Sequence, residues 1–95
     1  MAVAVIVQGG SRGDYEKVAE RINAEGVPEG AILHTAADTP DGVRMFDVWE
    51  SREAFERFME DKIAPLAEEF DIEMTGPPPE IHELFTVILN QEARV

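Results

Sequence analysis

The segment FDVWESREAFERFM, Phe46–Met59, contains the two periodicities that decide the fold of this chain. Its first half has the alternation of a β-strand, and Ser51 then stands where a helix N-cap is expected. The apolar residues that follow at helical spacing are Ala54, Phe55, Phe58, Met59 and Ile63. The segment therefore predicts a strand that leads directly into an amphipathic helix. Asp47 is its unexpected residue, because a strand in the middle of a sheet is normally apolar.

The rest of the chain divides into similar short elements. The predicted order is a strand at 2–8, a helix at 14–25, strands at 30–38 and 43–50, a helix from Ser51, and a strand at 80–90. We expect Asp14 to cap the first helix and Gly26 to end it. The turn TPDG, residues 39–42, makes the second and third strands antiparallel. Pro65 is expected to end or kink the second helix.

This order, βαββαβ, predicts an α+β fold of the ferredoxin-like type. Because strand–helix–strand connections are right-handed, both helices should cover one face of a four-stranded antiparallel sheet whose first and third strands are central. All 95 residues are expected to form one such domain.

The fourth predicted strand is apolar on both of its faces. Ile81, Phe85, Val87 and Leu89 would point one way, and Leu84 and Ile88 the other. The helices can cover only one face of the sheet, and an apolar patch of that size is rarely left in water. A second copy of the chain is the simplest cover, so we predict a homodimer that packs sheet against sheet into an α/β barrel.

The composition argues against several classes of function. Eight basic and twenty acidic residues give a net charge of −12, which repels nucleic acid and anionic membrane surfaces. The chain has no cysteine, and therefore no disulfide and no thiolate metal site. Its N-terminal MAVAVIV is too short for a membrane span and lacks the flanks of a signal peptide, so we expect a cytoplasmic protein. The acidic cluster at residues 68–73 lacks the carboxylate–histidine spacing of a metal site.

The segment DVWESREAFERFMEDKIAPL, with ILHTA before it and PPEIHELFTVI after it, resembles the antibiotic-biosynthesis-monooxygenase-like domains of the dimeric α/β-barrel superfamily. The resemblance covers essentially the whole chain. It implies the fold and the dimer, and it implies a range of activities that includes cofactor-independent monooxygenases of aromatic polyketides. The haem-degrading branch has Asn, Trp and His where this chain has Gln8, Phe58 and Glu68, so haem cleavage is not implied.

His34 and Asp47 are the candidate catalytic residues. A histidine titrates near neutrality, so His34 could take a proton from a phenol or an enol. Asp47 must have a partner if it is buried. It would orient His34 or act as a base itself, or else it pairs with Arg44, Arg52 or the other subunit. A structural, hydrogen-bonded His34 is the alternative.

The candidate substrate-binding residues are Trp49, Phe58, Phe55, Met45 and His82. Strand alternation places Met45, Asp47 and Trp49 on one wall, and the indole suits a flat aromatic ligand. Trp49, Phe55 and Phe58 could equally be core residues, and His82 a surface or dimer-interface group.

Two functions follow from these residues. The first is a cofactor-independent monooxygenase, or a related isomerase or cyclase, that acts on a planar aromatic molecule in a cavity between helices and sheet. The second is a non-catalytic dimer that binds a small molecule or serves as an interaction module. An empty cavity would favour the first, because a closed core admits no substrate. No cofactor or metal is expected for either.

Overall fold

The computed structural model of the protein describes residues 1–74 and 76–90, which form four strands and three α-helices. The elements are β1 (Val3–Gln8), α1 (Arg12–Ala24), β2 (Ala31–Thr39), β3 (Gly42–Trp49), α2 (Arg52–Phe58), α3 (Ala64–Glu69) and β4 (Glu80–Glu83). A π-helical turn, Met59–Ile63, joins α2 to α3. The predicted α+β, ferredoxin-like order is confirmed.

The four strands form one antiparallel sheet in the order β2-β3-β1-β4, so β1 and β3 are central, as predicted. Val3 pairs with Trp49 and Val5 pairs with Asp47. Val5 is fully buried under the helices. Since directly paired residues share a face of a sheet, Asp47 and Trp49 also point toward the helices.

Helix α1 begins at Arg12, two residues earlier than predicted, and its N-cap is Ser11. The Ser11 hydroxyl accepts a hydrogen bond from the Asp14 backbone N–H at 3.1 Å. The prediction that Asp14 caps the helix was therefore wrong. Asp14 instead lies in the first turn, where its negative charge is favourable beside the positive end of the helix dipole.

Ser51 caps α2 as predicted, since its hydroxyl accepts from the Ala54 N–H at 3.1 Å. Pro65, however, does not end the helical path. It occupies the first turn of α3, where its missing N–H costs little, after a π-helical turn in which the Ala64 N–H reaches the Met59 carbonyl.

Strand β4 is much shorter than the predicted strand 80–90. Its last bond to β1 runs from the Leu84 N–H to the Ala2 carbonyl, at the point where β1 begins. Beyond Leu84 this chain offers no neighbouring strand on that edge among the described residues. The following apolar side chains are therefore exposed: Phe85 by 96%, Val87 by 42%, Ile88 by 89% and Leu89 by 52%. The two-faced pattern predicted for them does not form within this chain.

The hydrophobic core lies between the sheet and α2. Its buried members are Val3, Val5, Trp49, Ala54 and Phe55. Helix α1, which is described in full, contributes no buried residue. Its apolar stripe is only half-buried, because a cavity separates it from the sheet.

Candidate functional site

A cavity of about 610 Å³ lies between α1 and the helix-covered face of the sheet. The stripe of α1 forms one wall through Tyr15, Val18, Ala19 and Ile22. β2 and β3 form the floor, and Phe58 and Met59 stand at the side. This volume is within the usual range of small-molecule sites, and most of its lining is apolar. Among the described lining residues none is Lys or Arg.

Four polar side chains form one hydrogen-bonded chain along the floor and wall of this cavity. The Trp49 indole N–H donates to one carboxylate oxygen of Asp47 at 3.2 Å. The other oxygen lies 2.6 Å from Nδ1 of His34. Nε2 of His34 lies 2.7 Å from the Tyr15 hydroxyl. We call this set, Tyr15, His34, Asp47 and Trp49, the polar chain.

The sheet register explains how the inner members meet. His34 on β2 is directly paired with Asp47 on β3, and Trp49 follows two residues later on the same face. Asp47 is thereby held by two donors although its side chain is only 10% exposed. The predicted common wall of Met45, Asp47 and Trp49 is present. The partner of Asp47 is His34 of the same chain rather than an arginine.

Tyr15 reaches His34 because the start of α1 is fastened to β3. The Gly9 N–H donates to the Val43 carbonyl at 2.9 Å, and the Val43 N–H donates to the Gly10 carbonyl at 3.1 Å. The contact is close: at Gly42, where φ is +107°, an added Cβ would lie 2.8 Å from the Gly10 carbonyl oxygen. The first turn of α1 is therefore held at a fixed distance from the sheet.

The charges of the polar chain act on one another. The hydrogen bond and the negative charge of Asp47 raise the pKa of His34, and burial opposes them only in part. Burial, together with the charge of Asp47, raises the pKa of Tyr15, so its phenol remains protonated at neutral pH. His34 is thus a better proton acceptor than an isolated imidazole, and its side chain is 46% exposed.

The four predicted aromatic and methionine positions all line the cavity, but they differ in what a ligand could touch. Trp49 is 2% exposed and Phe55 is 4% exposed, and their rings pack edge to face at 5.7 Å. They are core residues first. Phe58 and Met45 are half-buried and leave surface toward the cavity. Phe58 therefore offers the cavity more exposed ring surface than Trp49 does.

His82 does not join this site. It pairs with Ala4, whereas its neighbour Ile81 packs against the core. Alternation along β4 therefore turns His82 to the opposite face of the sheet. There it is exposed, 3.7 Å from a carboxylate oxygen of Glu80.

Tyr15 was missed as a site residue. The sequence assigned it to the apolar stripe of α1, and that placement is correct. The available signal was chemical: it is the single tyrosine of the chain, and it carries a hydroxyl on a stripe otherwise made of Val, Ala and Ile.

Residues 1–74 and 76–90 contain no group of three or more His, Asp or Glu side chains arranged to hold a metal ion. Over the same residues, every helix is too short or too polar to cross a membrane.

No protein-family model and no curated protein sequence matches the chain, but several solved structures share its fold. Rv0793 from Mycobacterium tuberculosis is 17% identical, with a TM-score of 0.57 over 98% of this chain and 100% of that chain. A monooxygenase from the gene ActVA-Orf6 of Streptomyces coelicolor, solved with nanaomycin D, is 21% identical, with a TM-score of 0.51 over 95% of this chain and 91% of that chain. SnoaB, a cofactor-independent oxygenase from Streptomyces nogalater, is 20% identical, with a TM-score of 0.52 over 97% of this chain and 95% of that chain.

The chain therefore has the fold of the antibiotic-biosynthesis-monooxygenase-like domains, as its sequence resemblance predicted. Identities of this size show the fold alone.

Proposed function

We propose that this protein is a cofactor-independent monooxygenase of a flat, hydroxylated aromatic molecule. One observation carries the proposal: an imidazole backed by a buried carboxylate faces an apolar cavity of about 610 Å³. A group of this kind can deprotonate a phenol or an enol.

The chemistry needs only a base and dioxygen. Deprotonation of an aromatic CH₂ or its enol gives a carbanion, which combines with dioxygen and, after taking up a proton, becomes a hydroperoxide. Loss of the remaining C–H proton with cleavage of the O–O bond gives a ketone and water. One oxygen atom enters the product and the other leaves as water, so CH₂ plus O₂ becomes C=O plus H₂O. His34 is the base, and Asp47 stabilises the imidazolium that forms.

The charge of the site indicates a neutral substrate. The described cavity lining contains no Lys or Arg to pair with a carboxylate or a phosphate, and Asp14 is among its residues. The net charge of −12 also repels anions at a distance. Hydroxylated polycyclic ketones without an acid group fit these conditions, with their rings against Phe58 and Met45.

We further propose that the protein is a homodimer with the face of the sheet opposite the helices at its interface. Leu33 and Phe46, 38% and 42% exposed, point away from the helices on that face. The segment 85–90 leaves the sheet with Phe85 and Ile88 almost fully exposed. A second copy of the chain would cover both surfaces, and Phe85 would bury a full aromatic side chain on association.

A binding protein without catalysis is the second candidate, and one observation favours it. Nε2 of His34 already contacts the Tyr15 hydroxyl, so the base is not free in the empty cavity.

The test uses 1,8-dihydroxyanthrone, a neutral tricyclic substrate with one activated CH₂. Oxygen consumption and quinone absorbance are followed with purified protein treated with a chelator, against the spontaneous rate. We expect a protein-dependent rate that falls about 100-fold in His34→Gln, which is the usual range for loss of a general base. Asp38→Asn is the control, since Asp38 lies on the same strand outside the cavity and pairs with Arg12. Saturable binding of the anthrone with no rate above background would instead establish the binding protein.

A further inference from the structure

Both ring nitrogens of His34 are already engaged. Nδ1 lies 2.6 Å from Asp47 and Nε2 lies 2.7 Å from the Tyr15 hydroxyl. A substrate therefore has two ways to deliver a proton to His34. It can displace Tyr15 and contact Nε2 directly, or it can bind Tyr15 and leave the polar chain intact.

The donors and acceptors of the polar chain fix the direction of its hydrogen bonds. An ionised carboxylate only accepts, so neutral His34 must carry its proton on Nδ1 and donate it to Asp47. Nε2 then has a lone pair, and the Tyr15 O–H donates to it. The oxygen of Tyr15 keeps its own lone pairs free to accept a hydrogen bond from a ligand in the cavity that Tyr15 lines.

We propose that Tyr15 is a catalytic residue that contacts the substrate hydroxyl and passes its proton to His34. The substrate O–H transfers its proton to the Tyr15 oxygen as Tyr15 transfers its own proton to Nε2. The products are a substrate anion, a neutral Tyr15 and an imidazolium paired with Asp47. In the later step the imidazolium returns a proton through Tyr15 to the peroxide oxygen that leaves as water. This inference rests on the proposed function.

Three features of Tyr15 suit it to this role. Its ring stacks on the His34 imidazole, with centroids 5.9 Å apart and planes 16° apart, so the hydroxyl is held in place rather than free to swing. The first turn of α1 is fixed by the two hydrogen bonds of the Gly9–Gly10 segment to Val43. The raised pKa of Tyr15 also keeps its proton available for transfer at neutral pH.

The experiment compares the wild type, Tyr15→Phe and His34→Gln. Tyr15→Phe removes one oxygen atom and retains the half-buried ring. Thr35→Val is the matched control, because it too deletes one hydroxyl group. Thr35 lies on β2 and points to the face of the sheet opposite the cavity, where its hydroxyl donates to the Phe46 carbonyl. The binding probe is 2-hydroxyanthraquinone, which is flat, neutral and inert to this oxidation, and whose anion has a distinct colour.

We expect the wild type to bind the probe and to lower the pH at which its hydroxyl ionises. Tyr15→Phe should bind within about threefold, lose that shift, and turn over 1,8-dihydroxyanthrone about 100-fold more slowly. Thr35→Val should match the wild type in all three measurements.

The proton relay from the substrate through Tyr15 to His34 is overturned if Tyr15→Phe keeps the ionisation shift and a turnover within threefold of wild type. The proposed monooxygenase function would survive that result. It is also overturned if Tyr15→Phe no longer binds the probe, since Tyr15 would then hold the ligand rather than transfer a proton. If the wild type neither binds the probe nor oxidises the anthrone, the proposed function and the relay both fall.

Discussion

Asp47→Asn removes the charge at the centre of the polar chain and nearly nothing else. The two side chains have the same shape, and an amide oxygen can still accept from the Trp49 indole. What is lost is a charge-assisted bond to His34, in a place where Asp47 is only 10% exposed. Such bonds contribute about 1.5–3 kcal/mol when buried, and the 46% exposure of His34 reduces that to about 1–2 kcal/mol.

The effect should depend on pH. The pKa of His34 is raised above its ordinary 6.5 in the folded protein, so the charged pair adds stability that is fully present below about pH 6.5. That stability is lost as the pH rises through the raised pKa. Wild type should therefore be more stable than Asp47→Asn, and the difference in their free energies of unfolding should be largest near pH 5.5 and smaller at pH 8.

The assay is urea unfolding at both pH values and one fixed protein concentration, with Asp38→Asn as control. At pH 5.5 a loss of about 1–2 kcal/mol corresponds to a fall of about 5–10 °C in Tm for a domain of this size. An NMR titration of the imidazole C–H signals, assigned with His82→Gln, should show a lower pKa for His34 in the variant. If wild type and Asp47→Asn have the same free energy of unfolding at both pH values, or if the His34 titration is the same in both proteins, the coupling of His34 to Asp47 is refuted.

Three further perturbations test other parts of the structure. Trp49→Phe should lower the free energy of unfolding by about 1–2 kcal/mol, because Asp47 loses a donor and the core loses volume; unchanged urea unfolding would contradict this bond. Gly42→Ala should cost about 2 kcal/mol or more, and more than Gly26→Ala, where φ is also positive but the space is open; equal losses would show that the close approach to the first turn of α1 is unimportant. Phe85→Asp should weaken the proposed homodimer at least about tenfold in sedimentation velocity, with far-UV circular dichroism unchanged; an unaffected association would exclude Phe85 from the interface.

The elements and their order could be predicted because each rests on local patterns. Ser51 before an apolar stripe, and Pro and Gly in the turn at 39–42, act through neighbouring residues alone. The length of β4 could not be predicted in this way. It depends on where β1 begins, since Leu84 makes the last bond from β4 to β1 and, among residues 1–74 and 76–90, no partner strand continues beyond it. Residues 85–89 have a strand pattern, but the described part of the chain places no strand beside them.

The polar chain was predictable in part. The tight turn between β2 and β3 brings their residues into register, and counting outward from it pairs His34 with Asp47 before the bulge near Ala31 is reached. Tyr15 belongs to a helix, and its distance from the sheet depends on how the Gly9–Gly10 segment docks on β3. Local patterns carry no information about such a docking. The cavity has the same origin, since it is the space left where α1 does not descend onto the sheet.

Helix α1 stands over this cavity without a buried residue of its own, and that arrangement affects how the protein should respond to a ligand. Its start is fixed by the hydrogen bonds of Gly9–Gly10 to Val43, and the rest is held by Tyr15 and by exposed ion pairs: Arg12 to Asp38, Arg21 to Glu69, and Lys62 to Glu25 at its end. Exposed pairs of this kind each contribute little, so α1 should open locally at a lower free energy than the sheet and exchange its amide hydrogens sooner. A flat apolar ligand would supply the packing that α1 lacks. Binding and the ordering of α1 would then be one equilibrium, in which the bound ligand stabilises the helix that covers it.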